Sequence, residues 1–596
     1  MNILGISCYF HDAAAALLRG GRLVAAAEEE RFSRKKHDYE FPQHAIDFCL
    51  RTGAISGADL DYVVFFEKPF VKFERLLLSS LQTFPRSYRV FREAMITWLG
   101  DKLWIRQLIQ QRLGIAADRI LFSEHHLSHA ASAFFCSPFP EAAILTVDGV
   151  GEWTTASLGI GRDTDIRLLK EIRFPHSLGL LYSAFTAFLG FEVNEGEYKV
   201  MGMAPFGIPR YVDEVGKLIR QGSDGSFELD MSYFCFHHST DRTFTDKFSA
   251  LFGRPRDPDA PFFTASSGYP SYFGDRPGDF AQRAEENQRY ADIAASIQAV
   301  TEDVLLRLAG AAYRETGLSR LCLAGGVALN SVANGRILRE TPFEELYIHP
   351  AAGDGGGAVG AALWGYHAVL GQPRGFVMEH ASWGEAHGPD SVEGFLRAHG
   401  IRYERLEDED RLVERVVDRL QQGQVVGWSQ GRFEWGPRAL GHRSILADPR
   451  RPDMKDIVNT KIKFREPFRP FAPSVPVERA EDYFVLPDAA RHYPARFMLY
   501  VVDVRKDAHA TLPAVTHVDG TGRLQTVHRD TNARYHRLIS TFGDATGVPV
   551  LLNTSFNLKG EPIVNTPAEA FATFSKSGMD ALVLGDCVVD KDGLRR

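Results

Sequence analysis

Short apolar runs separated by turn residues open the chain. Met1–Cys8 and Ala13–Leu18 are apolar, Gly20-Gly21 is a two-residue turn, and Leu23–Glu28 runs back. This pattern predicts a three-stranded meander over residues 1–30. Residues 41–52 and 72–113 carry helical periodicity, Ile120–Phe122 is a short strand, and His125–Phe135 reads as a helix. Ala143–Val147 is a fully apolar strand ending in the turn signal Asp148-Gly149, and Thr155–Ile160 and Ile166–Ile172 continue as strands.

The texture changes over residues 221–288, which are rich in Phe, Tyr, Pro, Asp and Gly and show little periodicity. An irregular insertion is expected there, a candidate acceptor-side lid. A long amphipathic helix is expected from Tyr290 to Thr316, stopped by Gly317. The strand Arg320–Leu323 leads into Gly325-Gly326 and an apparent helix, Val327–Arg339. The strand Glu345–His349 leads into Asp354-Gly355-Gly356-Gly357 and an Ala-rich helix to Leu370. Gly371–Arg374 is the linker candidate. At 596 residues the chain exceeds the roughly 250–300 residues at which a single core stops growing. Two α/β domains are therefore expected, 1–370 and 376–596. No repeat of fixed period is visible.

Apolar residues make up 44% and charged residues 24%, as in a globular protein, and the net charge is -8. That charge gives no overall field to hold nucleic acid. The six cysteines are scattered without CxxC spacing and read as buried thiols of a reducing compartment. No signal peptide is expected at the N-terminus, which has no basic start or long apolar run, and no apolar run reaches the length of a membrane span. The expected location is the cytoplasm.

His125 and His129 are four residues apart, so a helix would set both rings on one face. The spacing also suits two histidines that bind nothing. Asp148 and Asp354 each follow an apolar strand and precede glycine, where ligand groups gather in a doubly wound sheet. Two imidazoles and two carboxylates suit Fe(II), Mn(II), Zn(II) or Mg(II). Glycine-rich turns at Asp148–Gly151, Gly325-Gly326 and Gly355–Gly357 would let amides approach phosphate. Their order is the layout of the actin/Hsp70/sugar-kinase (ASKHA) ATPase fold, although each glycine could be an ordinary turn. Gly355-x-Gly357-x-x-Gly360 and Gly427-Trp-Ser429-Gln-Gly431 match dinucleotide and nucleophile-elbow patterns in the wrong surroundings.

The second domain concentrates cations near glycine and aromatics: Arg432, Arg438 and Arg443, then Lys461, Lys463, Arg465 and Arg469, with Glu466 among them. In an extended segment Lys461, Lys463 and Arg465 would point to one side. Guanidiniums recognise phosphate bidentately, which suits an anionic donor; a basic sheet edge or an RNA patch is the alternative. Asn553-Thr-Ser555-Phe-Asn557 follows the apolar strand Val548–Leu552, offering short polar side chains for phosphate or carbamoyl oxygens, or plain turn chemistry.

FHDAAAAL (10–17), EERF (29–32), HHLSHAASAFF (125–135), VDGVGEW (147–153), EGEYKVMGMAPFG (195–207), GGVALN (325–330), WGPRALGHRSILADPR (435–450), HVDGTGRLQTV (517–527) and LLNTSFNLKGEPIV (551–564) resemble the NodU/CmcH family of O-carbamoyltransferases. The resemblance spans nearly the whole chain, in order. It implies an ASKHA-type metal-dependent domain followed by a YrdC-like α/β domain. The second would join carbamoyl phosphate and ATP into carbamoyl-adenylate. The first would pass the carbamoyl group to a hydroxyl of a small-molecule acceptor, as in secondary metabolism and antibiotic biosynthesis. By motif position His125, His129, Asp148 and Asp354 would hold the metal, with Fe(II) preferred. His11 would be catalytic, and Asp12 would lie in the acceptor pocket. Lys36, Gly149, Lys199, Gly325, Gly326 and Asn330 would meet the nucleotide or carbamoyl-adenylate. Arg438, Lys463, Arg469, Arg523, Asn553 and Ser555 would line the donor site. An ASKHA small-molecule kinase and a tRNA threonylcarbamoyltransferase are the competing enzymes, and an actin-like regulator without transfer chemistry the competing non-enzyme. Acceptor and oligomeric state are left open, a homodimer included.

Overall fold

A computed structural model describes residues 1–591 apart from Asp101, Asp259, Ser271 and Tyr272. The chain divides into two compact units, Met1–Val24 with Tyr39–Val377, and Ala25–Asp38 with Met378–Arg596. The segment 25–38, which the sequence reading kept in the first domain, therefore belongs to the second unit. Lys36 goes with it.

Among the described residues the first unit is built on two five-stranded sheets. The first joins β1 (Asn2–Ser7), β2 (Ala14–Arg19), β3 (Arg22–Glu28, of which residues 22–24 count with this unit), β4 (Tyr62–Phe65) and β5 (Ile120–Phe122) in the order β3-β2-β1-β4-β5. The second joins β6 (Glu141–Val147), β7 (Thr154–Arg162), β8 (Asp165–Arg173), β11 (Arg320–Ala324) and β12 (Glu345–Ile348) in the order β12-β11-β6-β7-β8. Read from its antiparallel end, the second repeats the first: a meander whose opening strand pairs in parallel with a later one, as β1 does with β4 and β6 with β11. This duplicated order is the ASKHA topology. A short pair, β9 (Ile219–Gln221) and β10 (Phe227–Leu229), stands apart.

Two glycines let the carrying elements close up. A Cβ at Gly5 would lie 1.9 Å from the Ala358 carbonyl oxygen, and one at Gly360 would lie 1.9 Å from that of Ser128. The helix Asp354–Trp364 thus packs backbone-close on β1 and on the helix His125–Phe134.

Several expected elements differ. The 72–113 stretch breaks into helices Pro69–Gln82, Tyr88–Gly100 and Ile105–Leu113. The expected irregular insert holds β10 and the helix Asp246–Phe252, and its last residues already belong to the long helix, which begins at Phe280 rather than Tyr290. The extra turns, FAQRAEENQR, rest on good helix formers rather than on apolar periodicity. Asp259, Ser271 and Tyr272 of that insert lie outside the described residues. After Gly325 the chain makes a short 3-10 turn, and Asn330 then caps the helix Ser331–Glu340 with its side chain.

The second unit carries a nine-stranded mixed sheet. Its strands are β13 (Glu404–Arg405), β14 (Val426–Ser429), β15 (Arg443–Ala447), β16 (Ala472–Pro476), β17 (Tyr500–Asp503), β18 (Thr521–Val527), β19 (Leu551–Ser555), β20 (Ala581–Leu584) and β21 (Cys587–Asp590). Asn553 and Ser555 lie within β19, not in a turn after it; Asn553 pairs with Leu446 and Ala472. Residues Ile457–Ile462 are helical, so Lys461, Lys463 and Arg465 do not share one side of an extended segment. Lys461 is exposed, whereas Lys463 and Arg465, on either side of Phe464 (φ 49°), are buried.

Candidate functional site

In the first unit four side chains from three parts of the chain converge. His125 opens the helix His125–Phe134 and His129 lies one turn on; Asp148 follows β6, and Asp354 opens its own helix. All four are buried. His125 Nε2 lies 3.1 Å from His129 Nε2, 3.1 Å from Asp148 Oδ2 and 3.6 Å from Asp354 Oδ1. His129 Nε2 lies 3.5 Å from Asp354 Oδ1 and 3.8 Å from Asp148 Oδ2.

Local structure explains each placement. Gly326 N–H donates to Asp148 Oδ1 at 2.8 Å. The turn that presents it needs glycine at 325, where φ is 94° and a Cβ would sit 2.2 Å from the Val147 carbonyl oxygen. Glu152 accepts the His125 N–H at 3.0 Å and the Lys68 N–H at 2.8 Å, holding the first turn of the histidine helix. Glu67 Oε2 lies 3.7 Å from His125 Nδ1 and accepts from Lys72 at 2.6 Å. Burial would raise the Glu67 carboxyl, but Lys72 and then His125 hold it down at about 2. Burial likewise opposes the charged forms of His125 and Asp148. The two aspartates and Glu67 outweigh it to raise His125 to about 10, and the two imidazoles hold Asp148 well below the carboxylate range.

The donor set fits one divalent cation. Two atoms bound at ~2.1 Å are about 3.0 Å apart across an octahedral edge and about 3.4 Å across a tetrahedral one. The separations above run from 3.1 to 3.8 Å, at those edges or a few tenths of an ångström beyond them, and Asp354 Oδ2 is buried without a hydrogen-bond partner. Two imidazole nitrogens facing each other cannot both donate, whereas one cation takes both lone pairs.

His11 and Asp12 occupy the β1–β2 connection, with His11 Nδ1 3.9 Å from Asp12 Oδ2. The connection is strained, with Tyr9 at φ 72° and Asp12 at φ 38°. Burial disfavours the imidazolium of His11, but Asp12, then Asp354 and Asp148, raise it to about 9. Phe10 packs its ring against His125 and takes the Lys72 ammonium at 4.0 Å. Of the expected nucleotide contacts, Gly149 accepts from Ser177 through its carbonyl at 2.7 Å, and Asn330 pairs with Gln298 at 3.1 Å. Lys199 lies 5.6 Å from the Phe191 ring, on the helix Glu197–Met203.

The second unit gathers like charges. Lys463 Nζ is buried and donates to Ser555 O (2.6 Å), Ser555 Oγ (3.2 Å), Asn557 O (2.8 Å) and Asn557 Oδ1 (2.6 Å). Burial, then Arg465, Arg469 and Lys36, hold its pKa well below the ammonium range. Arg523 is depressed by burial and then by Arg438, Arg465 and Arg469, and its Nε is buried without a partner. Asn553 Nδ2 donates to Ala439 O (3.2 Å) and Gln525 Oε1 (2.9 Å), leaving its Oδ1 buried and unpartnered.

The Arg438 loop is held at its ends. Glu434 Oε1 accepts from the N–H groups of Leu440, His442 and Arg443, at 2.7, 2.8 and 3.2 Å. Gly436 donates to Glu28 at 2.7 Å and accepts from Arg31 at 2.7 Å, so Arg31 of EERF and the glutamate just before the motif serve this loop. Arg432 and Arg443 leave the expected clamp. Arg432 donates to the carbonyls of Trp383 and Gly384, both at 2.7 Å, and Arg443 to that of Gln430 at 2.7 Å. Glu67, Lys72, Glu152 and the placement of Lys36 escaped sequence reasoning. Only Glu152, inside VDGVGEW, carried a motif signal.

An α/β enzyme with a buried His/Asp centre in one unit and a buried cation cluster in the other is the class defined by this architecture. The chain belongs to the carbamoyltransferase family: the profile of the carbamoyltransferase N-terminus matches residues 2–363 and that of the C-terminus residues 417–591. It is 48% identical to an uncharacterized protein of Synechocystis sp., over 99% of this chain and 97% of the relative. It is 39% identical to the nodulation protein NolNO of Sinorhizobium fredii, over 98% and 79%. With 3'-hydroxymethylcephem-O-carbamoyltransferase of Amycolatopsis lactamdurans it shares 32% identity, over 56% and 62%. Among the described residues no helix is long and apolar enough to cross a membrane.

Proposed function

We propose that this carbamoyltransferase is ATP-dependent and acts on a hydroxyl of a small molecule. The observation that carries the reading is the like-charged cluster in which Lys463 and Arg465 are buried and Arg438, Arg469 and Arg523 half-buried, which calls for a multiply anionic ligand. The second unit would be the YrdC-like adenylating domain. There carbamoyl phosphate loses phosphate to water, the carbamate oxygen attacks the α-phosphorus of ATP, and pyrophosphate leaves. Arg438, Arg469, Arg523 and Lys463 orient the phosphates and spread their charge. Arg465, buried beside them, belongs to the same set.

In the first unit the acceptor hydroxyl attacks the carbamoyl carbon, the C–O bond to AMP breaks, and AMP leaves. His11 takes the hydroxyl proton at Nε2 while Asp12 faces Nδ1. A divalent cation held by His125, His129, Asp148 and Asp354, with Fe(II) the first choice, would polarise carbamoyl or phosphoryl oxygens and offset the two aspartates' pull on His11. Gly149 offers its amide to the adenylate phosphate, whereas the N–H groups of Gly325 and Gly326 are taken by Ala352 O and Asp148 Oδ1 and shape the turn instead. An O-carbamoyltransferase among the relatives supports hydroxyl as the acceptor group.

The test is pyrophosphate release from ATP, with and without carbamoyl phosphate, together with a mass screen of pooled hydroxylated metabolites for a carbamoyl gain. Pyrophosphate that requires carbamoyl phosphate, plus a carbamoylated product, is expected. Release of ADP with a phosphorylated product would replace this reading with a kinase.

A further inference from the structure

The helices Pro69–Gln82 and Tyr88–Gly100 form an antiparallel hairpin: Phe73 near the start of one meets Trp98 near the end of the other, ring centroids 6.2 Å apart. The first helix turns Lys72 and Arg75 inward. Its opposite face carries Phe70, Glu74, Leu77, Leu78 and Leu81; Phe70 is 67% and Leu81 61% exposed. The second helix carries Tyr88, Arg92, Met95, Ile96 and Leu99 with the same spacing, and Ile96 is 69% exposed. Each stripe lies about a quarter turn from its seam residue, in the same rotational sense. Because the helices are antiparallel, the two stripes face one side.

The only charges within these stripes stand at equivalent positions, Glu74 and Arg92. Both are exposed, and neither has an ion-pair partner among the described residues. By contrast Arg89, off the stripe, is already paired with Glu93 and Asp241. With Phe73 level with Trp98, Arg92 lies about 9 Å further along the hairpin at 1.5 Å per residue. Glu74 and Arg92 are therefore diagonal to each other on the face. A two-fold axis lying in the plane of the face, along the perpendicular bisector of the line from Glu74 to Arg92, turns a second copy over onto the first and brings Glu74 of one copy onto Arg92 of the other, twice.

We propose that this face binds a second copy of the chain, forming an isologous four-helix dimer interface with reciprocal Glu74–Arg92 pairs. The area agrees. With Phe84 and Trp104 at the margins, the exposed apolar side chains amount to roughly 800 Å² per copy, the size of a stable interface. Self-complementary charge within an apolar patch is what a two-fold contact requires.

Sedimentation velocity of the full chain at micromolar concentration tests this. A species of twice the 66.5 kDa chain mass is expected; a monomer throughout that range overturns the proposal. Glu74→Arg and Arg92→Glu should each weaken the dimer by about tenfold or more, since each creates two like-charge contacts. The double exchange should restore it to within about threefold of the parent. Equal affinity in all four proteins overturns the pairing. Ile96→Asp should be monomeric with an unchanged circular dichroism spectrum. A dimer that survives this change lies on another surface, which refutes the assignment even if other partners bind the hairpin.

Discussion

The two buried clusters handle charge in opposite ways. In the first unit two imidazoles and two carboxylates surround a point, so opposite charges favour one another; the aspartates raise His125 and the imidazoles lower Asp148. In the second unit arginines and lysines face one another, and burial together with the neighbouring cations depresses Lys463 and Arg523. Ligands of the first kind balance charge before anything binds. Ligands of the second kind hold unfavourable electrostatics that an anion removes. A cation at the first and a polyphosphate at the second should both raise stability by mass action, the second also by relieving repulsion. Changes that neutralise one charge should thus have opposite effects on folding in the two units.

His125→Ala gives the largest expected effect. Carbamoyl transfer should fall on the order of 10³-fold, the scale of losing cation stabilisation of a charged transition state. Carbamoyl-phosphate-dependent pyrophosphate release should persist. The variant should also be less stable by about 3–5 kcal/mol, because buried carboxylates lose their partner. Equal loss of both half-reactions would dissolve the division between the clusters.

Arg523→Met is the counterpart. Pyrophosphate release should fall about 100-fold, as for loss of one preorganised charge donor. Transfer from added carbamoyl-adenylate should be retained. Unlike His125→Ala, the ligand-free protein should become more stable by about 1 kcal/mol, since a half-buried cation among like charges, its Nε buried without a partner, gives way to an apolar chain of similar length. Denaturant titration in phosphate-free buffer reads the sign. A destabilised Arg523→Met variant would mean that the guanidinium serves the fold.

A smaller effect probes how the first cluster is assembled. Gly360→Ala places a Cβ against the Ser128 carbonyl, between the helices that carry three of the four converging side chains. Overpacking should cost about 1–3 kcal/mol. Metal affinity, measured by competition with a chelator, should drop with it. A stability loss with unchanged affinity would show that the helices part without spreading the ligands.

How much of this was readable along the chain follows from the kind of signal each feature leaves. Asp148 and Asp354 were visible because a carboxylate after an apolar strand and before glycine is rare chemistry in a local pattern. Glu67 and Lys72 were not, because charges at the edge of a helical stretch look like any solvated face until tertiary packing buries them. The strand Tyr62–Phe65 was missed as a short apolar run between helices. The duplicated sheet lies in strand order, not in residue identity, so no sequence period betrays it. Lys461-Ile462-Lys463-Phe464-Arg465 alternates like a strand, yet its first residues are helical and the backbone then reverses at Phe464. Alternation over so few residues did not decide between them.

The gentlest test uses His517 as a reporter inside the cationic cluster. Burial is the main cause of its pKa of about 4; Asp519 pulls it up, while Arg523 and Lys455 push it down. A depressed folded value means that the unfolded chain takes up the proton first. The stability contributed by neutral His517 is therefore present above about 6.5, the ordinary histidine value, and is lost as pH falls toward about 4. Removing Arg523 deletes one repulsive partner and leaves the burial intact. The His517 resonance in Arg523→Met should then titrate at a higher pH than in the parent, while remaining below the ordinary value. Inorganic phosphate added to the parent should move it in the same direction, because a bound anion offsets the same cations. If neither change moves the titration, Arg523 does not act on this imidazole and the depression comes from burial and Lys455. The contrast with the first cluster would then rest on the remaining cations.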